Sequence, residues 1–145
     1  IAKTGVDMKS VKVLIVDDSE LDRYILRRQL KVLGVDKVEE KDDGSTALDY
    51  LRDYERNIRL HTDKYPPIVI FLDINMPKVN GFDFLKEFAI LRTQLAILSC
   101  VVVMYSSSER REDKERALKY EFVQRYLVKG ELNEEVLDET IQALG

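Results

Sequence analysis

Short segments rich in β-branched and aliphatic residues alternate with longer amphipathic segments along most of the chain. Five short segments are predicted to be strands, at residues 11–16, 35–41, 68–72, 100–105 and 124–128. The segments between and after them carry apolar residues three or four positions apart, which predicts helices. Strands that alternate with helices are typical of an α/β protein with a parallel sheet and helices on both of its faces.

Five helices are predicted, and the first has clear start and stop residues. Ser19-Glu20-Leu21-Asp22 has the pattern of a capping box, in which a hydroxyl and a later acid satisfy free N–H groups. Leu21, Tyr24 and Ile25 occur at helical spacing, and Gly34 is the expected stop. The other four helices are predicted at residues 47–54, 82–91, 110–120 and 133–144. Residues 57–67, which include His61, are predicted to form a polar connection without helix.

Polar side chains stand at the point where four of the predicted strands end. Asp17 and Asp18 follow the first strand, Asp73 follows the third, Ser106–Ser108 follow the fourth and Lys129 follows the fifth. An unpaired carboxylate in an apolar setting is costly, so an acid at the tip of a buried strand points to chemistry rather than packing. The carboxyl ends of parallel strands lie at one edge of a sheet, so these groups are expected to converge there.

This set of residues resembles the receiver domain of two-component response regulators. The most specific parts are Asp73 followed by Met76-Pro77 and Gly81, and Lys129 preceded by residues 126–128, Tyr-Leu-Val. The resemblance runs from about residue 9 to residue 144. It implies a single-domain receiver of the chemotaxis-regulator kind.

The resemblance also implies a fold: a flavodoxin-like, doubly wound, five-stranded parallel sheet with strand order 2-1-3-4-5 and five helices. Ligands of such sheets bind where the winding direction reverses, which here lies between the first and third strands. Residues 9–145 are expected to form the receiver domain. Residues 1–8 are expected to be a frayed tail or a remnant of cloning.

Composition narrows the class of protein further. The chain has 145 residues, of which 45% are hydrophobic and 34% charged, which suits one ordinary globular domain. A formal net charge of −4 argues against direct binding of nucleic acid, and neither a membrane span nor a signal peptide is predicted. Cys100 is the one cysteine, so no internal disulfide is expected and a reducing cytoplasm is the expected location.

Three carboxylates in one pocket repel one another unless a cation lies among them. Mg²⁺ suits such a site because it is a hard ion that binds carboxylate, carbonyl and phosphoryl oxygens. The resemblance implies that Asp18 and Asp73 ligate Mg²⁺ directly and that Asp17 acts mainly through water. It adds the main-chain carbonyl of Asn75 as a further ligand.

The resemblance also assigns the phosphoryl chemistry. Asp73 is the expected nucleophile and phosphorylation site, and a sensor histidine kinase or a histidine phosphotransfer protein is the expected donor. Lys129 covers one phosphoryl oxygen as a point charge, and Ser106 donates a hydrogen bond to another. The chain is therefore not expected to be an enzyme with a separate substrate, because it catalyses only its own phosphorylation and dephosphorylation.

Two positions depart from the family pattern. Family members usually have Thr where Ser106 stands, and Ser107 is an alternative register for the hydroxyl. Proline usually follows the lysine, often through a cis peptide bond, whereas Gly130 follows Lys129 here. A cis bond before a residue other than proline costs about 2.5–4 kcal/mol, so a trans bond and a looser loop are expected.

The resemblance places a switch beside the site. Ser106 moves toward the phosphoryl group, and Tyr126 fills the space it leaves; the alternative is that Tyr126 is simply half-buried on its strand. The face formed by the fourth helix, fifth strand and fifth helix then changes shape and binds a downstream protein or a second copy of the chain. With no output domain in the sequence, output through a partner is expected, or else the sequence is a fragment.

Three other functions compete with a phosphorylated receiver. A degenerate receiver would keep the pocket but act as a phosphorylation-independent interaction module, and Gly130 is its only support. A hydrolase of the haloacid-dehalogenase kind would need an acid two residues after its nucleophile, where this chain has Asn75. A flavodoxin would need a hydroxyl-rich phosphate loop in place of Asp17-Asp18.

Overall fold

The computed structural model describes residues 5–144, which form one sheet covered by helices. The strands are β1 Lys12–Val16, β2 Lys37–Lys41, β3 Val69–Leu72, β4 Val101–Ser106 and β5 Val123–Val128. The helices are α1 Glu20–Val32, α2 Gly44–Arg52, α3 Tyr54–Leu60, α4 Gly81–Gln94, α5 Arg111–Leu118 and α6 Glu134–Gln142. Short 3-10 helices occupy Met8–Ser10 and Lys129–Glu131.

The strand order is β2-β1-β3-β4-β5, and every pairing is parallel. The predicted five-stranded doubly wound sheet and its 2-1-3-4-5 order are therefore confirmed. In the register, Val16 pairs with Lys41 on one side and Leu72 on the other. Because β1 and β3 end level with each other, the residues that follow them, Asp17 and Asp73, come side by side.

The two faces of the sheet carry separate apolar cores. On one face, side chains of β1, β3 and β4 such as Leu14, Ile70 and Met104 pack against α2, α4 and α5. On the other face, side chains such as Ile15 and Phe71 pack against α1 and α6. Alternate residues of each central strand thus face opposite cores, and both faces hold the strand ends rigidly in register.

The structure has six helices among the described residues, so the prediction of five was wrong. The additional helix is α3, which occupies the first part of the predicted polar connection. Its position is set by polar contacts: the buried Asn57 amide donates to the carbonyl of Tyr50 at 2.6 Å, and the Tyr65 hydroxyl donates to the carbonyl of Leu51 at 2.7 Å. Both contacts occupy carbonyls at the carboxyl end of α2, and the Asn57 contact holds α3 against it. An apolar period cannot reveal contacts of this kind.

The start of α1 differs from the predicted capping box in one contact. The Ser19 hydroxyl accepts the N–H of Asp22 at 3.2 Å, as predicted. The Ser19 N–H, however, donates to Oδ1 of Asp17 at 2.9 Å instead of to the acid three residues on. The carboxylate of Asp22 is therefore left for another partner. Gly34 ends the helix as predicted, with a φ of 96° that favours glycine.

The described part of the expected tail contacts the domain. The Val6 N–H donates to the side chain of Gln142 at 2.9 Å, and Val6 and Met8 pack against the core beneath α1 and α6. Residues 1–4 and 145 lie outside the described residues. Among the helices of residues 5–144, none is long and apolar enough to cross a membrane.

Candidate functional site

The carboxyl ends of four strands place the predicted polar groups at one edge of the sheet. Asp17 and Asp18 follow β1, Asp73 follows β3, Ser106 is the last residue of β4, and Lys129 follows β5 directly. All but Asp18 are buried or half-buried. A rigid parallel sheet therefore fixes the origin of each of these side chains.

Three carboxylates form a tight acidic cluster. One oxygen from each of Asp17, Asp18 and Asp73 lies within 4.8 Å of the other two. Asp17 and Asp73 are buried, whereas Asp18 is exposed and opens the cluster to solvent. Hard carboxylate oxygens at this spacing, open on one side, fit a divalent cation such as Mg²⁺, which keeps several water ligands.

Lys129 supplies the positive charge beside this cluster. Its ammonium lies 2.7 Å from Oδ2 of Asp17 and 3.6 Å from Oδ1 of Asp73. It also donates a hydrogen bond to Oδ2 of Asp22 at 2.8 Å. Asp22 is not among the predicted site residues, because its spacing from Ser19 is that of the second half of a capping box.

The buried charges change the acidity of the site. Burial raises the pKa of Asp73 to about 7, the neighbouring Asp17 carboxylate adds to this, and Lys129 opposes it. Burial likewise raises the pKa of Asp17 in spite of its contacts with Lys129 and Ser19. Burial alone would lower the pKa of Lys129, but the carboxylates of Asp17 and Asp22 outweigh it and raise this pKa. The site holds more negative charge than one ammonium neutralises.

The loop after β3 is held close to Asp73. The Gly81 N–H donates to the carbonyl of Ile74 at 2.8 Å, which folds the loop back on its own start. A Cβ at Gly81 would lie 2.4 Å from the main-chain oxygen of Asp73, so a larger residue would displace the loop. Glycine at this position thus has a direct steric reason. Asn75 is exposed within this loop.

A second acid that is not among the predicted site residues, Asp43, supports the same loop from the neighbouring turn. Asp43 is buried, and its Oδ1 accepts the N–H groups of Lys78 at 3.0 Å and Val79 at 3.3 Å. Its Oδ2 accepts the N–H and hydroxyl of Ser45 at 2.8 and 2.6 Å. Burial alone would raise the pKa of Asp43, but these hydrogen bonds hold it below its usual value.

Ser106 is the buried hydroxyl at the end of β4. Its Oγ accepts the N–H of Ser108 at 3.1 Å. Ser107 is exposed, and the Ser108 hydroxyl donates to Asp113 at 2.6 Å. Of the three serines, Ser106 is therefore the one whose side chain is enclosed beside the other strand ends.

Tyr126 is half-buried on β5 and connects to the loop after β4. Its hydroxyl donates to the carbonyl of Ser108 at 2.9 Å, and the Lys114 ammonium lies 5.8 Å from its ring centroid. The side chain thus joins β5 to the segment that leads into α5. A displacement of Ser108 would lengthen or break this hydrogen bond.

The backbone after Lys129 is ordered by a tight turn. Among the described residues, the one cis peptide bond is Tyr65–Pro66, so the Lys129–Gly130 bond is trans, as expected. The expected looser loop is wrong, because Lys129–Glu131 form a 3-10 helix. A Cβ at Gly130 would meet no atom within 4 Å, so the space itself does not demand glycine.

Comparison with known proteins agrees with this geometry. The family model described as the response regulator receiver domain matches residues 13–142. The chain belongs to the response regulator receiver family. This membership makes the chain a receiver domain of two-component signalling, as the resemblance predicted.

Two bacterial regulatory and chemotaxis proteins are similar to the chain in sequence. The chain is 35% identical over 136 residues to the gliding motility regulatory protein of Myxococcus xanthus, which covers 94% of this chain but 15% of that protein. It is 32% identical over 104 residues to the chemotaxis protein CheY-3 of Vibrio cholerae, covering 72% of this chain and 69% of that protein. The chain thus spans a small part of the first relative and most of the second.

Solved receiver structures are similar in fold. The chemotaxis protein CheY4 of Vibrio cholerae matches with a TM-score of 0.70 and 29% identity, over 93% of this chain and 98% of that chain. The receiver domain of the histidine kinase CKI1 from Arabidopsis thaliana, solved in complex with Mg²⁺, matches with a TM-score of 0.73 and 25% identity, over 92% and 96% of the two chains.

Proposed function

We propose that this receiver domain accepts a phosphoryl group on Asp73 and signals through the resulting conformational change. The donor is a phosphohistidine on a sensor kinase or a phosphotransfer protein. The observation that carries the proposal is the position of the Asp73 carboxylate. It lies at the end of β3, with two further acids within 4.8 Å and an ammonium 3.6 Å away.

The transfer exchanges one bond to phosphorus for another. An oxygen of Asp73 forms the new P–O bond, the P–N bond to the donor imidazole breaks, and the electron pair leaves with the imidazole. Bound Mg²⁺ supplies charge neutralisation on the phosphoryl oxygens. Asp18 and Asp73 would hold the ion directly, the main-chain carbonyl of Asn75 would add a ligand, and Asp17 would act through water.

Two side chains support the phosphoryl group from β4 and β5. Lys129 pairs with one oxygen, since its ammonium lies beside Asp73. The Ser106 hydroxyl donates to another phosphoryl oxygen. To do so, its Oγ first gives up the Ser108 N–H that it accepts in this structure. Loss of that hydrogen bond and the contact of Tyr126 with Ser108 together carry the change to α5. Water later attacks phosphorus and restores the carboxylate.

The output surface is the face formed by α5, β5 and α6. It presents basic side chains such as Arg111, Lys119 and Arg125. A downstream protein, or a second copy of the chain, would bind there once phosphorylation has moved the loop before α5. The domain of residues 9–145 would function in this way in the cytoplasm.

Intact mass after incubation with acetyl phosphate and Mg²⁺ tests the proposal. The wild type should gain the mass of one phosphoryl group, and Asp73→Ala should gain none. Asp63→Ala, which removes an exposed loop acid, is the matched control and should behave as the wild type. A mass gain that persists in Asp73→Ala would show that Asp73 is not the phosphorylation site. No gain in the wild type would favour the phosphorylation-independent interaction module.

A further inference from the structure

Asp22 lies in the first turn of α1 and reaches across to the lysine of the site. Its Oδ2 accepts a hydrogen bond from the Lys129 ammonium at 2.8 Å, across 107 positions of sequence. The carboxylate is available because the Ser19 N–H, which a capping box would direct to it, is taken by Asp17. The contact therefore replaces a local helix cap with a long-range ion pair.

The Lys129 ammonium lies closest to two carboxylates, and neither of them belongs to Asp73, the proposed phosphoacceptor. Its nitrogen lies 2.7 Å from Asp17 and 2.8 Å from Asp22, but 3.6 Å from Asp73. The contact with Asp22 is a hydrogen bond and the contact with Asp17 is an ion pair, and both are as short as strong contacts between an ammonium and a carboxylate. The two short contacts therefore direct Lys129 toward β1 and α1 rather than toward the place where a phosphoryl oxygen would form.

Of the two short contacts, the one with Asp22 is easier to release. The Asp17 side chain is fully buried, whereas that of Asp22 is 29% exposed. A carboxylate freed at the surface is solvated by water, but one freed in the interior pays a desolvation penalty. Movement of Lys129 toward a phosphoryl group should therefore break the contact with Asp22 and keep the contact with Asp17.

We propose that Asp22 is a positioning residue that retains Lys129 in the unphosphorylated state and so opposes phosphorylation of Asp73. The inference rests on the proposed phosphoacceptor function. Asp22 competes with the phosphoryl group for one ammonium, and the competition sets how tightly the active state is held. Removing the competitor should make the phosphorylated state easier to reach.

Titration with beryllofluoride, which mimics the phosphoryl group, at a fixed saturating Mg²⁺ concentration tests this competition. Asp22→Asn should bind beryllofluoride about tenfold more tightly than the wild type, since a hydrogen bond between charged groups is worth roughly one decade of affinity or more. Asp22→Glu keeps the charge and should stay close to the wild type. Glu20→Gln removes an exposed acid from the same helix turn and controls for net charge and the helix dipole.

The decisive comparison repeats the substitution without the lysine. In a Lys129→Met background, Asp22→Asn should leave beryllofluoride affinity unchanged, because Asp22 acts through Lys129. An equal gain in both backgrounds would mean a general charge effect and would overturn the inference, as would weaker binding in Asp22→Asn. Failure of both the wild type and Asp22→Asn to bind beryllofluoride would instead overturn the phosphoacceptor function, and this inference with it.

Discussion

At the scale of single residues, the site is defined by an imbalance of charge. Asp17, Asp18 and Asp73 each place an oxygen within 4.8 Å of the others, and Asp22 adds a fourth acid beside Lys129. The Lys129 ammonium pairs with Asp17 and Asp22, so the negative charge of the exposed Asp18 is the least neutralised in the cluster. A divalent cation would relieve this repulsion, which gives the acids a functional rather than a structural reason to be close.

Loss of Asp18 should weaken Mg²⁺ binding more than loss of Asp17. Asp17 already accepts the Ser19 N–H on one oxygen and meets Lys129 with the other, so it is poorly placed for a direct bond to metal. Asp18→Asn should lower Mg²⁺ affinity by tenfold or more, and Asp17→Asn by less, as expected for a group acting through water. Calorimetric Mg²⁺ titration checks this order. The reverse order would assign the direct ligand to Asp17.

Without metal, the same acid should destabilise the fold. Asp18 repels Asp17 and Asp73, and the effective interaction of charges near a protein surface is on the order of a few kcal/mol at about 4 Å. Asp18→Asn should therefore melt at a higher temperature than the wild type in the presence of a chelator, and saturating Mg²⁺ should cancel the difference. Asp42→Asn, at an exposed acid outside the cluster, is the matched control. A lower melting temperature for Asp18→Asn would show that Asp18 has a structural partner.

At the scale of secondary-structure elements, two adjacent turns together support the loop that follows Asp73. Asp43 is the N-cap of α2, and its carboxylate accepts the backbone N–H groups of Lys78 and Val79 in the loop that follows Asp73. The Gly44 N–H adds a bond to the carbonyl of Val79 at 3.2 Å. The position of the β3–α4 loop thus depends on a residue that precedes Asp73 by 30 positions of sequence.

Ionised Asp43 should stabilise the fold above a pH set by its unfolded form. Its pKa is lower folded than unfolded, so the stabilisation is fully present above the unfolded pKa of about 3.9 and is lost as the pH falls through the folded value. Asp43→Asn should be less stable than the wild type at pH 7, and the difference should shrink below about pH 4. Urea denaturation at several pH values measures this. A difference independent of pH would assign the effect to shape rather than charge.

The helices also show what an apolar period can and cannot predict. The spacing of Leu21, Tyr24 and Ile25 predicted α1 correctly, but these side chains are exposed, and Leu26 and Leu30 face the sheet instead. The spacing of apolar residues identifies a helix. Which side of that helix is buried depends on how the helix packs against the sheet. For α3, a polar sequence hid a helix that is held against α2 by the hydrogen bond from the Asn57 amide to the carbonyl of Tyr50.

At the scale of the whole molecule, topology accounts for which site residues could be predicted. Asp17, Asp73, Ser106 and Lys129 stand at strand ends, and a parallel sheet delivers strand ends to one edge whatever the intervening helices do. Asp22 and Asp43 instead reach the site from a helix turn and a neighbouring loop. Their partners, Lys129 and residues 78–79, come close to them only in the folded chain, so no spacing in the sequence could reveal these contacts.

The same topology predicts how a change at the site spreads. Lys129 follows β5, Ser106 ends β4, and the hydroxyl of Tyr126 ties β5 to Ser108, at the approach to α5. In the proposed mechanism, a phosphoryl group on Asp73 would draw Lys129 toward it and pull on β5 from one end. Release of the Ser108 N–H by Ser106 would loosen the loop before α5, so both movements would reach the face of α5, β5 and α6.

Lys129→Ala should therefore leave Mg²⁺ binding in place but weaken the structural change that follows at α5, β5 and α6. The variant should still bind Mg²⁺, because the carboxylates remain, but beryllofluoride should shift fewer backbone amide resonances in α5, β5 and α6 than in the wild type. Lys86→Ala, which removes an exposed lysine on α4, should respond as the wild type does. Amide spectra with and without beryllofluoride measure the effect. Equal shifts across this face in Lys129→Ala and the wild type would show that the change reaches α5 through Ser106 alone.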